Sequence, residues 1–408
     1  MRDRIPFHRP DVGEEEVAAV SAVLRSGWLT TGGECKRFEA EFARFVGVRH
    51  ALAVNSCTAA LHLALEAAGI RPGDLVLVPT LTFAATAEVV IYCGATPVLV
   101  DCEPETLNID VSAAETTIGL LEAGKPVGGV TRQGRLRAIL PVHYGGQMAE
   151  VDGIASLARA HGLRVIEDAA HALPAAARSP DGRWRSVGTT AEQTCFSFYA
   201  NKTITTGEGG MLVTDDDGLA SRARLMSLHG LSRDAWDRFR TAGSWDYKIL
   251  AAGFKYNLTD IAAALGREQL KKAVTLAQAR ARIAARYSEL LRDVVEVDVP
   301  KVRNDRQPSW HLYVIRLRLE ALNIDRDRFI EELNAAGIGT SVHWRPLHMH
   351  PLYRERYGYR PEDFPVSTSE WERCISLPIF PSMTSAEIDR VAETVRAIAT
   401  DHMRRMAV

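Results

Sequence analysis

The chain has 408 residues, 46% of them apolar and 25% charged, and a formal net charge of −2. That length allows two or three domains, or one fused unit around a large core. The near-zero charge leaves no basic excess for nucleic acid or anionic lipid, and no apolar run reaches the length of a membrane span.

The N-terminus, MRDRIPFHRP, has no apolar h-region, so no signal peptide is expected. Glu14 to Ser26 reads as a helix with Val17, Val20, Val23 and Leu24 on one face, stopped by Gly27. The loop Gly27–Gly33 carries Trp28 and Thr30, where the tryptophan either packs on the surface or meets a ligand. Cys35 to Val46 is a second helix, with Phe38, Phe42 and Phe45 on its core face. Strand and helix then alternate. Ala51–Val54 is a strand feeding a helix that starts at Ser56, Cys57, Thr58 and Ala59. Free amides and the helix dipole make such a start a capped turn or an anion site. Leu75–Val78 is a strand, and Pro79–Thr86 leads through Phe83 into a helix ending near Gly94. Phe83 is either core or a ring that stacks on a ligand. Pro97–Asp101 is a strand, followed by a variable-looking stretch to Gly134. Ala138–Val142 is a strand, turning at His143–Gly146 into the helix Ala149–Ala160. The apolar strand from Leu163 ends in Asp168, with His171 just beyond, and two strands, Cys195–Phe198 and Met211–Thr214, flank Lys202.

Asp217–His229 is a helix, Leu231–Ala252 is irregular, and Asp260 to about Val294 is one long helix entered through GFKYNLTD. Beyond Trp310 come a strand (Leu312–Leu317), a helix (Arg326–Ala336), a strand (Thr340–Trp344), an irregular stretch (Pro346–Pro378) and a terminal helix (Ser385–Met403). Two units are expected: residues 1–275, the N-terminal segment and large domain, and 276–408, a smaller α/β domain joined through the long helix. Alternating strands and helices imply a mostly parallel sheet covered on both faces, with ligands at the carboxyl ends of its strands. Six scattered cysteines without a CxxC spacing argue against a disulfide framework or zinc knuckle and suit a reducing cytoplasm. His343, His348 and His350 lack a carboxylate or cysteine companion, so no metal is expected.

Lys202 is the only Lys or Arg between Arg185 and Arg222, and it lies between β-rich runs rather than on a charged helix face. A turn lysine is ordinarily solvated. A strand-end carboxylate about thirty residues upstream, Asp168, changes the reading. Pyridoxal phosphate requires this combination: an amine for a Schiff base, and an acid that keeps the pyridine nitrogen protonated so that the ring acts as an electron sink.

Around that pair stand SGWLTTG, FEAEFA, AVNSCTAALHLAL, PTLTFAATA, GATPVLVD, PVHYGGQ, VIEDAAHA, FSFYANK, EGGMLVTD, GFKYNLTDIAAALG, GIGTSVHW and SLPIFP. Together they make the chain resemble, nearly end to end, the DegT/StrS-type sugar-nucleotide aminotransferases, which have the aspartate-aminotransferase fold (type I) of pyridoxal-phosphate enzymes. PVHYGG, IEDAAHA and GFKYNLTDI are closest to 4-ketosugar nucleotide 4-aminotransferases such as those making UDP-4-amino-4-deoxy-L-arabinose. The resemblance implies that Lys202 is the Schiff-base lysine and proton shuttle, that Asp168 pairs the pyridinium nitrogen, and that His171 lies near the cofactor's phenolate oxygen. It implies that Phe83 stacks on the ring and that Ser56, Thr58, Ala59 and Ser197 hold the phosphate. Asn257 is expected to reach the phosphate of the neighbouring subunit in a homodimer with shared active sites. Many relatives carry asparagine two positions earlier and arginine here, so Lys255 and Asn257 both stand as the phosphate contact. Trp28, Thr30, His229, Lys255, His343 and Trp344 match segments that line the sugar-nucleotide pocket.

The implied reaction is a ping-pong transamination from L-glutamate to a 4-keto (6-deoxy)sugar linked to dTDP or UDP. A 3-ketosugar nucleotide or a keto-cyclitol would use the same machinery. Sugar 3-dehydratases of the family replace the lysine by histidine, which Lys202 opposes. A non-catalytic cofactor-binding regulator is a further alternative, although no helix-turn-helix or basic arm is evident.

Overall fold

The computed structural model describes residues 4–130, 134–232 and 247–404. Helices α1 (Glu14–Ser26) and α2 (Gly33–Val46) come first, and both lie against the long later helix over Asp260–Leu291. Three glutamates open α1 at its positive end, and Gly27 ends it at φ 75°. Then β1 (His50–Val54), α3 (Cys57–Ala67), β2 (Asp74–Pro79), α4 (Ala84–Tyr92), β3 (Thr96–Val100), α5 (Val111–Glu122), β4 (Arg135–Ile139), α6 (Val151–His161) and β5 (Arg164–Asp168) alternate. A small hairpin, β6 (Ala176–Arg178) and β7 (Trp184–Ser186), precedes the pair β8 (Gln193–Ser197) and β9 (Gly210–Thr214). Helices α7 (Asp217–Met226) and α8 (Asp260–Leu291) follow. The remainder is β10 (Val297–Asp298), β11 (Arg306–Gln307), β12 (Tyr313–Leu317), α9 (Arg326–Ala335), α10 (Pro351–Tyr357), α11 (Pro365–Arg373), β13 (Cys374–Leu377) and α12 (Ser385–Asp401).

The main sheet has seven strands in the order β1-β9-β8-β5-β4-β2-β3. From β8 to β3 all neighbours are parallel, while β9 runs antiparallel to both β8 and β1. Strands β2 (DLVLVP) and β9 (GMLVT) are buried along their whole length because both faces of the sheet are covered. On one side α3 and α4 build a core with Leu61, Leu65, Val76, Val89 and Ile139. On the other, Phe38 and Phe42 of α2 meet Phe196 of β8 and Phe198 just beyond it as tilted and edge-on rings. Beyond α8, a three-stranded antiparallel sheet, β10-β12-β13, packs its Tyr313, Ile315 and Leu377 with Phe329 of α9 and Val395 of α12. Ile5 joins that second core, its backbone paired with Gly337 and Gly339.

Several elements differ from the sequence expectation. Thr340–Trp344 is no strand: a single bridge, Ser341 to Ser376, replaces it. The segment has no alternating apolar face, and the carbonyl of His343 is taken by the Tyr144 hydroxyl. The irregular stretch Pro346–Pro378 contains α10, α11 and β13, and both helices start with proline in the first turn, a signal for a start rather than a break. The stretch before Gly134 contains α5, capped by Asp110 accepting from the amides of Ser112 and Ala113. Helix α7 ends at Met226 instead of His229, since the Met226 and Ser227 carbonyls accept from Phe254 and Tyr256 of a crossing segment. Helix α8 ends at Leu291 rather than Val294. Of the irregular stretch expected over Leu231–Ala252, residues 233–246 lie outside the described residues.

Candidate active site

Asp168 is fixed first. Its backbone closes the carboxyl end of β5, with N–H on the Pro141 carbonyl at 2.9 Å and C=O accepting from His143 at 3.1 Å. Its carboxylate is buried, 5% exposed. One oxygen accepts from the Ala170 N–H at 3.1 Å and the other from the Thr86 hydroxyl at 2.9 Å, with Cys57 Sγ 4.0 Å from the first. Burial raises its pKa, and those two donors and the Lys202 charge oppose the rise.

Lys202 sits in the turn between β8 and β9, which is tied by Thr206 N–H to Phe198 C=O and by Lys202 N–H to Tyr199 C=O, both 2.9 Å. Its Nζ lies 3.4 Å from His311 Nε2. Burial lowers its pKa to about 8, Arg280 pushes the same way, and Cys57 and Asp168 oppose. His171 stacks on Trp344 at 5.0 Å and tilts against His311 at 4.1 Å. Burial, and then the Lys202 charge, push His171 and His311 well below the usual histidine range. Burial puts His343 at about 4, and its Nδ1 lies 2.8 Å from Ser376 Oγ.

The turn between β1 and α3 lies alongside. Ser56 is extended and its hydroxyl accepts from the Ala59 N–H at 3.0 Å, so that amide is already engaged. Gly210 of β9 passes this turn so closely that a Cβ there would stand 2.5 Å from the Ser56 carbonyl carbon and 2.6 Å from Cys57 N. Only glycine allows that approach. Ser197 Oγ accepts from the Tyr199 N–H at 3.3 Å. Phe83 caps α4 with a ring that is 60% exposed and 6.4 Å from Trp344.

Apart from Phe83 and the phosphate candidates Ser56, Thr58, Ala59 and Ser197, the expected site residues fall into two groups. Lys202, Asp168, His171, His343 and Trp344 surround one point at the carboxyl ends of the parallel strands. Trp28, Thr30, His229, Lys255 and Asn257 line a separate surface cleft of about 1130 Å³ that includes none of the first group. There Asn257 donates to Thr31 Oγ1 at 2.7 Å and accepts from Lys255 Nζ at 2.5 Å. The two regions approach one another where Val54 pairs with Asn257 and Asn55 N–H reaches the Tyr256 carbonyl at 2.8 Å.

His311, Thr86 and Arg280 are structural members of the first group that the sequence reading missed. Arg280 did leave a signal, a charged residue on the buried face of α8 between Leu276 and Ile283, while His311 and Thr86 enter from elements distant in sequence without one. The other histidines noted in the sequence are engaged elsewhere: His348 lies between Thr80 at 2.8 Å and Thr368 at 3.0 Å, and His350 Nε2 contacts the Arg345 carbonyl at 3.2 Å. Among the described residues no group of three or more His, Cys, Asp or Glu side chains is placed to hold a metal ion.

The donor set fits an anionic, ring-bearing aldehyde. A weakly basic amine faces a buried carboxylate, a helix start adjoins them, and the Nδ1 atoms of His171 and His311 are buried without a partner.

The aminotransferase family DegT/DnrJ/EryC1/StrS matches residues 10–396. The chain is 43% identical, over 97% of both lengths, to the spore coat polysaccharide biosynthesis protein SpsC of Bacillus subtilis. Among solved structures it resembles the putative sugar aminotransferase Spr1654 of Streptococcus pneumoniae in its PMP form, with a TM-score of 0.86 and 30% identity over 97% of this chain and 99% of that one. The same protein is also solved in its PLP form. DesI, solved in the presence of its TDP-sugar product, gives a TM-score of 0.83 and 29% identity over 98% of this chain and 94% of that one. Family match, type I fold and a lysine–carboxylate centre agree from end to end, so the chain belongs to the DegT/DnrJ/EryC1/StrS aminotransferase family and is a pyridoxal-phosphate-dependent sugar aminotransferase.

Proposed function

We propose that the enzyme moves the amino group of L-glutamate to the C4 keto group of a dTDP- or UDP-linked 4-keto (6-deoxy)sugar, in two half-reactions that share Lys202. The observation that carries this reading is the buried Lys202 amine, its pKa lowered by burial to about 8, in the same site as the buried Asp168 carboxylate. Bound pyridoxal phosphate would supply an aldehyde carbon to carry the nitrogen and a ring to delocalise the electron pair left behind when the proton is removed. Asp168 holds the proton on the ring nitrogen, its own charge fixed by Thr86 and Ala170. Lys202 Nζ takes the proton from the donor carbon and returns it on the cofactor side, and the reverse in the second half. Thr58 and the hydroxyls of Ser56 and Ser197 hold the phosphate at the positive end of α3, where Ala59 N–H fixes the Ser56 side chain. Phe83 covers the ring, while His171 and Trp344 form a stacked wall that excludes water from Nζ.

We place Asn257, with Lys255 beside it, on the phosphate of a second subunit, and Trp28, Thr30 and His229 on that subunit's sugar nucleotide. The separate 1130 Å³ cleft supports this, since its residues lie apart from their own chain's lysine. DesI's TDP-sugar supports a nucleotide-linked acceptor. All six cysteines are free, which favours the cytoplasm. The proposed domain border, at residue 275, falls within α8.

The test is to load the enzyme with L-glutamate, remove the donor, and present the amino form to a panel of 4-keto and 3-keto sugar nucleotides and keto-cyclitols. The expected outcome is rapid discharge by a 4-keto acceptor, with the new amine at C4 by NMR. Discharge only by a 3-keto sugar or a cyclitol overturns the C4 assignment, and no loading by glutamate overturns the donor. A gel-shift assay examines the regulator alternative.

A further inference from the structure

Arg280 projects from α8 into the protein and is 1% exposed. Among the described residues no carboxylate pairs with it. Its Nη1 donates to the carbonyls of Ile379 at 2.7 Å, His311 at 3.4 Å and Trp310 at 3.5 Å, while Nε and Nη2 are buried without partners. Isolating a cation in this way is costly, and carbonyl dipoles recover only part of its hydration. Conflicts between a residue and its surroundings of this kind concentrate at functional sites.

The segment that Arg280 grips is the one that touches Lys202. Ser309 N–H binds the Gly146 carbonyl at 3.0 Å, Ser309 Oγ donates to the His171 carbonyl at 2.6 Å, and Leu312 N–H binds Gly145 at 3.1 Å. A Cβ at Gly146, whose φ is 99°, would lie 2.2 Å from Ser309 Oγ and 3.1 Å from His311 N. These contacts pin His311 against Lys202 Nζ, with Arg280 behind its carbonyl. The groups facing Lys202 are Cys57 from α3, Asp168 from β5, His171 after β5, His311 before β12, His343, His8 from the N-terminal segment, and Arg280 from α8. Only Asp168 among them is a carboxylate.

We propose that Arg280 is a positioning residue for the amino transfer: an uncompensated buried cation that, with neutral His311 against Nζ, shifts Lys202 toward the free amine whenever it is released from the cofactor. This rests on Lys202 being the proton-transfer base. His311 is itself held neutral by burial and then by Lys202, His171 and Arg280, so it cannot become a competing cation. Arg280 is also among the causes that lower the Lys202 pKa.

The test measures Lys202 directly. Enzyme reconstituted with pyridoxamine phosphate, in which Nζ is free, is labelled competitively with acetic anhydride across pH, and the Lys202 peptide is quantified by mass spectrometry. The expected midpoint is about 8 in the wild type and unchanged in Arg280→Lys. In Arg280→Gln, which keeps donors for the carbonyls but loses the charge, it rises by about one unit, a tenfold loss of free amine near pH 7. The acid limb of single-turnover transfer moves with it. An Arg280→Gln midpoint equal to wild type overturns the proposal, as does a raised KM for L-glutamate with the midpoint unmoved, which would make Arg280 a carboxylate contact. Should Arg280→Gln fail to fold, Arg280→Met, an uncharged side chain of similar length, takes its place: an upward midpoint shift supports the proposal, and none overturns it. Because labelling needs no donor, a wild type that is not loaded by glutamate defeats the donor assignment and leaves this result standing.

Discussion

Asp168→Asn separates charge from shape at the centre of the site. The carboxylate accepts from a fixed donor, the Ala170 N–H at 3.1 Å, and from a rotatable one, the Thr86 hydroxyl at 2.9 Å. An asparagine can turn its oxygen to Ala170 and its NH₂ to Thr86, whose hydroxyl can accept while donating to Thr82 Oγ1 at 2.8 Å. Every buried polar atom then keeps a partner, so the cost in folding stability is about 1 kcal/mol. What disappears is the negative charge that we place opposite the protonated ring nitrogen, in a buried site. Losses of that kind are worth about 3–4 kcal/mol at a transition state, and 4 kcal/mol is about a thousandfold in rate. The assay is the single-turnover spectral change on mixing with L-glutamate, with thermal unfolding and cofactor content measured on the same samples. The expectation is near-native stability, retained cofactor and a rate lower by about three orders of magnitude. A rate within about tenfold of wild type, or about 1.4 kcal/mol, refutes the assignment of Asp168 as the counter-charge. Loss of fold or cofactor in parallel with rate would refute the accounting of its hydrogen bonds.

Mixing Lys202→Ala and Asn257→Ala homodimers under conditions of subunit exchange restores one intact site in each mixed dimer, so activity recovers to about a quarter of wild type. No recovery, with exchange verified by differential tags and Asn257→Ala shown to be impaired, removes the shared site. The rate of proton transfer in single turnover rises with pH through about 8, since Lys202 Nζ is a base only when unprotonated. Its folded value lies below the ordinary 10.5, so the unfolded chain binds more protons between about 8 and 10.5. The stability of the cofactor-free protein therefore gains from this group as pH rises through that window, and Lys202→Ala removes the gain. Gly210→Ala sets a methyl 2.5 Å from the Ser56 carbonyl carbon, so the start of α3 must move. A loss of about 1–3 kcal/mol in stability and at least about tenfold in cofactor affinity is expected, measured by thermal unfolding and by cofactor titration. Unchanged affinity would show that the turn does not hold the phosphate.

The sequence by itself determined the alternating strand–helix order and the Phe38 and Phe42 face of α2, and it singled out Asp168 and Lys202. Apolar periodicity records which face is buried, and a charged residue at a strand end stands out against it. Local signals were weaker where proline opened α10 and α11 and where Ser341 paired for one residue only. The tertiary structure decided the rest. Thr86 on Asp168, His311 on Lys202 and Arg280 behind His311 join α4, the segment before β12 and α8, separated by up to 109 residues between Lys202 and His311. It also divided the expected substrate residues between the lysine centre and the cleft of Asn257. Neither result is written in any window of the chain, because a buried side chain's partner is set by how distant elements pack, and its charge state by the water that packing removes.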